Sequence, residues 1–129
     1  MSDHDEKLTA LLASDKRYSP QAYQFVFEAL QHVQKKLGRL KFEAEEERHV
    51  TGQELCEGIR EFALQQFGLM ALTVLHSWGV KETADFGQIV FNLIRSGHMR
   101  KTDRDTLDDF TGVYRFEEAF GKGFQLESQ

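Results

Sequence analysis

Three side chains in the stretch 83–96 have the chemistry to read nucleic acid. Gln88, Asn92 and Arg95 are spaced by four and then three residues, so on a helix they share one face. Amide side chains can form paired hydrogen bonds with adenine, and arginine can do so with guanine. Because the same residue types are common on any solvent-facing helix, the pattern also fits a helix that contacts no nucleic acid. We therefore treat Gln88, Asn92 and Arg95 as a candidate nucleic-acid or partner face.

The elements around this face follow the order of a winged-helix fold. Predicted helices at 52–67, 69–78 and 83–96 precede a predicted β-hairpin at 98–110. A winged-helix-like arrangement of these elements would expose the third helix, as in many DNA-binding proteins. The turn between the second and third helices would contain Gly79.

Two features of this region disfavour DNA as a ligand. Leu75 and Asp85 stand where a typical helix-turn-helix has a small residue and an apolar residue, respectively. Residues 98–118 carry four basic and six acidic side chains, whereas a wing that meets phosphate should be positive. We therefore expect no nucleic-acid partner. A winged-helix DNA-binding regulator that reads DNA with helix 83–96 is the alternative function.

No residue pattern identifies an active site, a metal site or a cofactor site. The histidines lie far apart in the sequence and have no cysteine at metal-binding spacing. The acidic turn 103–109 lacks the third oxygen ligand and the turn glycine of a calcium loop. Cys56 lies on the apolar stripe of its helix and is expected in the core. We therefore expect no catalytic or metal-ligating residue, no cofactor and no enzymatic activity.

The composition indicates one folded domain. The chain has 129 residues, of which 40% are hydrophobic, and a formal net charge of -5. That length fits one domain with a substantial core, and the acidic balance argues against binding to nucleic acid or an anionic membrane through bulk charge. A single cysteine cannot form an internal disulfide, and the acidic N-terminus does not resemble a signal peptide. We therefore expect a cytoplasmic protein with no membrane partner.

Helix signals predict a mainly α fold, a compact bundle of about five helices with a short β-hairpin. The predicted helices span residues 4–14, 20–37, 52–67, 69–78 and 83–96. Ser19, Thr51 and Thr83 are the predicted N-caps of three of them, with Pro20 at the first helical position of one. Glycine follows four apolar stretches, as expected for a left-handed residue after a helix end. These glycines are Gly38, Gly68, Gly79 and Gly97. The segment 69–75 is apolar almost all round and is therefore predicted to be a central, buried helix.

The remaining segments are assigned by their composition. The single domain 1–129 begins with a weakly attached helix at 1–16 and contains a charged loop at 39–50, for which a short strand pair is the alternative. Aromatic residues at helical spacing predict that residues 110–120 are ordered and packed against the helices. Residues 125–129 are expected to fray.

The width of the apolar faces predicts a homodimer. On helices 20–37 and 83–96 the apolar residues cover an arc of about 200°, twice the roughly 100° that a surface helix needs. The excess indicates a further buried interface, although the 39–50 segment and the C-terminal tail are alternative covers. Gly58 lies on the polar side of helix 52–67, where either another backbone approaches the helix closely or the glycine is simply tolerated. The candidate interface residues are Phe25, Phe27, Gly58 and Phe91.

Four sequence blocks resemble those of a small bacterial protein family, a domain of unknown function. The blocks are YSPQAYQFV at 18–26, HVTGQEL at 49–55, DFGQIVFNL at 85–93 and FEEAF at 116–120. Their order and spacing are similar to the family's over most of the chain. The resemblance supplies no catalytic residue and no cofactor, and it leaves the mechanism open. Because the sequence has no catalytic pattern and its apolar arcs are wide, the expected function is a non-enzymatic protein-interaction module with an unknown protein partner.

Overall fold

The chain is mainly helical, as predicted. The computed structural model describes residues 9–13, 15–38, 50–97, 99 and 107–122, with residues 121 and 122 described by their backbone alone. Its helices are α1 (Pro20–Lys36), α2 (Gly52–Phe67), α3 (Ala71–Ser77) and α4 (Thr83–Arg95), and residues 9–13 are also helical. Short 3-10 helices at Gly68–Met70 and Leu107–Phe110 and a π-helical segment at Glu117–Lys122 accompany them. None of the described helices is long and apolar enough to cross a membrane.

Local signals determine where the helices begin. Thr51 forms a capping box at the start of α2, because its hydroxyl accepts from the Glu54 amide (3.1 Å) and its own amide donates to the Glu54 carboxylate (3.0 Å). Ser19 occupies the N-cap position of α1, but its side chain makes no capping hydrogen bond. The N-cap predicted at Thr83 is wrong by one residue, since Glu82 has the extended backbone of an N-cap and Thr83 is already helical.

Thr83 instead anchors the C-terminal segment to α4. Its hydroxyl donates to the Phe110 carbonyl oxygen (2.6 Å) and accepts from the Val113 amide (3.2 Å). The Phe110 ring packs on Gly87, where an added Cβ would come within 2.7 Å of the ring. Thr83 is 1% exposed and Phe110 is 5% exposed, so this junction belongs to the core.

The β-hairpin predicted at 98–110 is not shown. Residues 98 and 100–106 lie outside the part of the chain that the structure describes, and that part contains no strand. Residues 107–110 form a 3-10 helix. Because Thr83 takes up the Phe110 carbonyl, this backbone group has a partner that is not another strand.

The central helices α1 and α2 pack in antiparallel order. Val33, near the end of α1, lies over Gly58, in the first half of α2, where an added Cβ would be only 1.9 Å from a Val33 methyl group. Phe25, nearer the start of α1, contacts Phe67 at the end of α2 with ring centroids 5.6 Å apart. Gly58 is therefore required by the helix crossing, which accounts for a glycine in the middle of a helix.

The C-terminal aromatic segment packs on the helices, as predicted. Phe116 and Phe120 are 2% and 1% exposed, and their rings meet edge to face with centroids 5.1 Å apart. The Phe116 ring also lies 5.5 Å from the Phe86 ring of α4. Burying an aromatic side chain contributes about 1.5–3 kcal/mol, so this segment is a substantial part of the core.

The four predicted glycines end their helices with positive φ. They are Gly38, Gly68, Gly79 and Gly97. At Gly79 the requirement is also steric, because an added Cβ would lie 2.0 Å from the Arg17 carbonyl oxygen. One residue earlier, the Trp78 carbonyl accepts a hydrogen bond from the Ser19 amide (3.1 Å). The segment before α1 therefore crosses directly over the turn between α3 and α4.

The described residues of the segment 1–16, for which weak attachment is predicted, contact the helices at two points. Leu11 is 5% exposed, and Asp15 accepts a hydrogen bond from Asn92 of α4 (2.9 Å). An apolar contact and a polar contact therefore hold this segment to the helices. The predictions for 39–49 and 125–129 lie outside the described residues.

Candidate functional site

The predicted nucleic-acid face is part of a buried polar cluster. Asn92 has no exposed surface, Gln88 is half-buried and Arg95 is exposed. The Asn92 amide nitrogen donates to Asp15 Oδ2 (2.9 Å) and to Tyr23 Oη (3.0 Å). The Asn92 amide oxygen accepts from Gln88 Nε2 (3.0 Å) and from Arg95 Nη2 (2.6 Å). These five residues are called the Asn92 cluster below.

Asn92 has no hydrogen-bonding capacity left for a nucleic-acid base. An asparagine side chain offers two donor hydrogens and two acceptor lone pairs, and partners within the chain use all four. The prediction that Gln88, Asn92 and Arg95 form one exposed face is therefore wrong at Asn92. Helical spacing identifies residues that share a face, but Asp15 and Tyr23, which cover that face, lie 77 and 69 residues away.

Asp15 supplies a negative charge that Arg17 neutralises. Arg17 donates to the carboxylate from Nε (3.0 Å), from Nη2 (2.7 Å) and from its backbone amide (3.1 Å). The hydrogen bonds from Arg17, helped by the one from Asn92 and opposed by burial, hold the pKa of Asp15 well below its usual range. The Asp15 side chain is 10% exposed and that of Arg17 is 59% exposed, so the pair joins the buried cluster to the surface.

Tyr23 of the cluster and its neighbour Tyr18 are held in their neutral form. Tyr23 is 2% exposed, and burial raises its pKa. Tyr18 donates to Asp85 Oδ1 (2.6 Å), and burial followed by this hydrogen bond raises the pKa of Tyr18. Neither phenol is arranged to lose its proton near neutral pH. The arrangement therefore holds the N-terminal segment, α1 and α4 together and does not resemble an acid–base catalytic site.

The described residues also contain no metal centre. Nowhere in the described ranges do three or more His, Cys, Asp or Glu residues come together in a way that could hold a metal ion. Cys56 lies in the core, as predicted, and burial raises the pKa of its thiol to about 12. A thiol that stays protonated is a poor nucleophile.

The four predicted interface residues have different environments. Phe25 is 5% exposed and packs within the chain against Phe62, Phe67 and Trp78. As candidate interface residues, Phe25 and Gly58 are therefore wrong, because each is already covered by its own chain. Phe91 is half-buried and Phe27 is 38% exposed. The wide apolar arcs arise largely because each helix packs against several neighbours.

An apolar surface does occur, in the segment predicted to be a central, buried helix. Residues 62–80 contain no Asp, Glu, Lys or Arg, although these residues make up 29% of the chain. Within this segment Leu69 is 65% exposed and Met70 is 56% exposed. The expectation of a central helix at 69–75 is wrong, because only Ala71 and Leu75 of it are buried. Residues 62–80 are called the uncharged corner below.

The absence of charge across the corner is visible in the sequence and could have identified it. An apolar run predicts burial only when the rest of the fold covers it. Here Gly68 breaks α2 with positive φ, and the following 3-10 turn carries Leu69 and Met70 outward. The same composition is typical of the centre of a protein interface, where charged residues are depleted and methionine is enriched.

Comparison with known proteins adds no relative to this picture. No family model, curated protein or solved structure matches the chain.

Proposed function

We propose that this chain is a non-enzymatic protein-interaction module of the bacterial cytoplasm that forms a homodimer through the uncharged corner. The observation that carries the proposal is the exposure of Leu69 and Met70 within a segment that has no charged side chain. We also infer membership of the bacterial family whose sequence blocks the chain resembles. That inference rests on the blocks alone.

Electrostatics favours the uncharged corner as the place where two copies meet. Two copies with a net charge of -5 each repel one another, and the repulsion is smallest where neither contacting surface carries a charged side chain. In a two-fold symmetric dimer the same patch contributes from both sides, so residues near the axis meet their own counterparts. The exposed polar residues Gln65, Gln66 and Thr73 are close to Leu69 and Met70 in the sequence, and none of these would bring like charges together.

Light scattering coupled to gel filtration tests the dimer at tens of micromolar protein. The expected mass is about 30 kDa, twice the 14.9 kDa of one chain. The double variant Leu69→Glu, Met70→Glu should elute as a monomer, because two charges from each copy would meet at the interface. The matched control is Leu107→Glu, which charges a leucine that is 47% exposed outside the corner. A monomeric wild-type chain, or a control that dissociates equally, would overturn the proposal.

A further inference from the structure

A second feature is an open pocket with aromatic walls beside the start of α1, which shares Phe62, Gln66, Phe67 and Trp78 with the uncharged corner but is not lined by Leu69 or Met70. Its volume is about 430 Å³, within the range that holds small ligands. Four aromatic residues line it: Phe25 of α1, Phe62 and Phe67 of α2, and Trp78 after α3. The pocket therefore lies where α1 and α2 meet the turn after α3, and its volume suits a small organic molecule.

The aromatic rings pack against one another beside the pocket. Phe67 and Trp78 are nearly perpendicular, at 81°, with centroids 5.6 Å apart. The centroid of Phe25 lies 5.4 Å from that of Trp78 and 5.6 Å from that of Phe67, so the three centroids form a triangle. The face of an aromatic ring is the negative side of its quadrupole, so a cation that contacts a ring face in the pocket is attracted to it.

The charge of the rim points the same way. Glu28 is the only ionisable residue among the described residues that line the pocket, and no lysine, arginine or histidine is present. The other polar lining residues are the glutamines Gln21, Gln24 and Gln66. Gln24 Nε2 donates to Glu28 Oε2 (3.2 Å), which steadies the carboxylate at the edge of the pocket. An anionic ligand would be repelled by the Glu28 carboxylate, and no cationic side chain among the lining residues would offset this repulsion.

We propose that this pocket binds a small organic cation of the quaternary or alkyl ammonium class. The alkyl groups lie against the aromatic walls, and the positive charge is stabilised by the ring faces and by Glu28. The binding needs neither the homodimer nor the uncharged corner's exposed leucine and methionine.

The fluorescence of Trp78 provides a direct readout, because Trp78 is the single tryptophan of the chain and forms one wall. Choline chloride should change its emission saturably, whereas potassium chloride at equal ionic strength should not. The neutral isostere 3,3-dimethyl-1-butanol has the same shape without the charge. We expect choline to bind about tenfold more tightly than this alcohol. Equal affinity, or no saturable change with choline, would overturn the proposal.

Two variants separate the charge of the pocket from the charge of the whole protein. Glu28→Gln should weaken choline binding severalfold and leave binding of the neutral alcohol unchanged. Glu57→Gln removes an exposed carboxylate that does not line the pocket and should leave both affinities as in the wild type. If both variants weaken choline binding equally, the effect is one of net charge, and the assignment to this pocket fails.

A ligand-observed measurement keeps the test independent of the tryptophan signal. Line broadening of the choline methyl resonance should be seen with the wild-type chain and should fall in Phe67→Leu, which keeps an apolar wall but removes a ring face. Thermal unfolding of that variant checks that it is folded. Broadening that persists unchanged in folded Phe67→Leu would contradict the aromatic site. The monomeric Leu69→Glu, Met70→Glu variant should still bind choline, so failure of the dimer and failure of this site give different results.

Discussion

The Asn92 cluster and the uncharged corner are opposite in composition and opposite in burial. The cluster consists of polar and charged side chains, yet its central Asn92 has no exposed surface. The corner has no charged side chain, yet Leu69 and Met70 are more than half exposed. Hydrophobicity predicts burial on average. In these two regions burial depends instead on whether the rest of the chain provides hydrogen-bond partners or a covering surface. Asn92 is buried because every polar atom finds a partner, and Leu69 is exposed because no part of the described chain covers it.

Replacing Asn92 by leucine should produce the largest effect on this comparison. The leucine is similar in size and more apolar, so hydrophobicity alone predicts a gain in stability. It would leave the Tyr23 hydroxyl without its partner and remove one hydrogen bond from the Asp15 carboxylate, and a buried group left unsatisfied costs free energy. We expect the free energy of unfolding in urea to fall by about 3 kcal/mol.

The matched control for this substitution is Gln88→Leu on the same helix. Gln88 is half-buried and makes one hydrogen bond to Asn92, so its loss should cost less than about 1 kcal/mol. If Asn92→Leu were as mild as Gln88→Leu, the cluster would not be what holds this face together.

Acid titration should show a smaller effect, through Asp15. The hydrogen bonds from Arg17 hold the pKa of Asp15 below its usual range, whereas an unfolded aspartate has a pKa of about 3.9. A lowered folded-state pKa stabilises the fold above pH of about 4, and this contribution is lost as the pH falls further. We expect Asp15→Asn to be less stable by about 1–2 kcal/mol at neutral pH.

The difference between Asp15→Asn and the wild type should narrow as the pH falls below about 4, because the wild-type carboxylate becomes protonated too. Urea unfolding at several pH values measures this. Asp108→Asn, which changes an exposed carboxylate, is the control for the loss of one negative charge. A difference between Asp15→Asn and the wild type that stays constant with pH would show that charge is not what Asp15 contributes.

Two of the three predicted N-caps, Thr51 and Ser19, also differ in whether their side chains find hydrogen-bond partners. Thr51 exchanges two hydrogen bonds with Glu54, whereas the Ser19 hydroxyl is buried and has no hydrogen-bond partner among the described residues. We expect Thr51→Ala to reduce the free energy of unfolding by about 1 kcal/mol. Ser19→Ala should change it by less than about 0.5 kcal/mol, since no hydrogen bond is lost. Equal costs for the two alanine variants would mean that Ser19 caps α1 in solution.

The sequence predicts the helices well because their signals are local. Proline, the capping box and the terminal glycines lie within a few residues of the ends they define, so the predicted 52–67 agrees with α2 to the residue. The Asn92 cluster could not be predicted, because Asp15 approaches Asn92 only after α1 and α4 have packed. The exposure of Leu69 depends on the direction in which the chain leaves Gly68, which apolar spacing does not contain. The aromatic pocket likewise needs the meeting of α1, α2 and Trp78.

The uncharged corner should give the smallest effect on the stability of a single chain. Replacing both Leu69 and Met70 by glutamine removes apolar side chains that make few contacts within the monomer, so the expected change is less than about 0.5 kcal/mol at low protein concentration. Association adds stability that grows with concentration. The melting temperature of the wild type should therefore rise with protein concentration, while that of the double glutamine variant should stay constant.

If the variant were instead less stable by more than about 1 kcal/mol at every concentration, Leu69 and Met70 would be buried within the single chain. The contrast between the corner and the Asn92 cluster would then disappear, because both regions would follow the burial that their own chain provides.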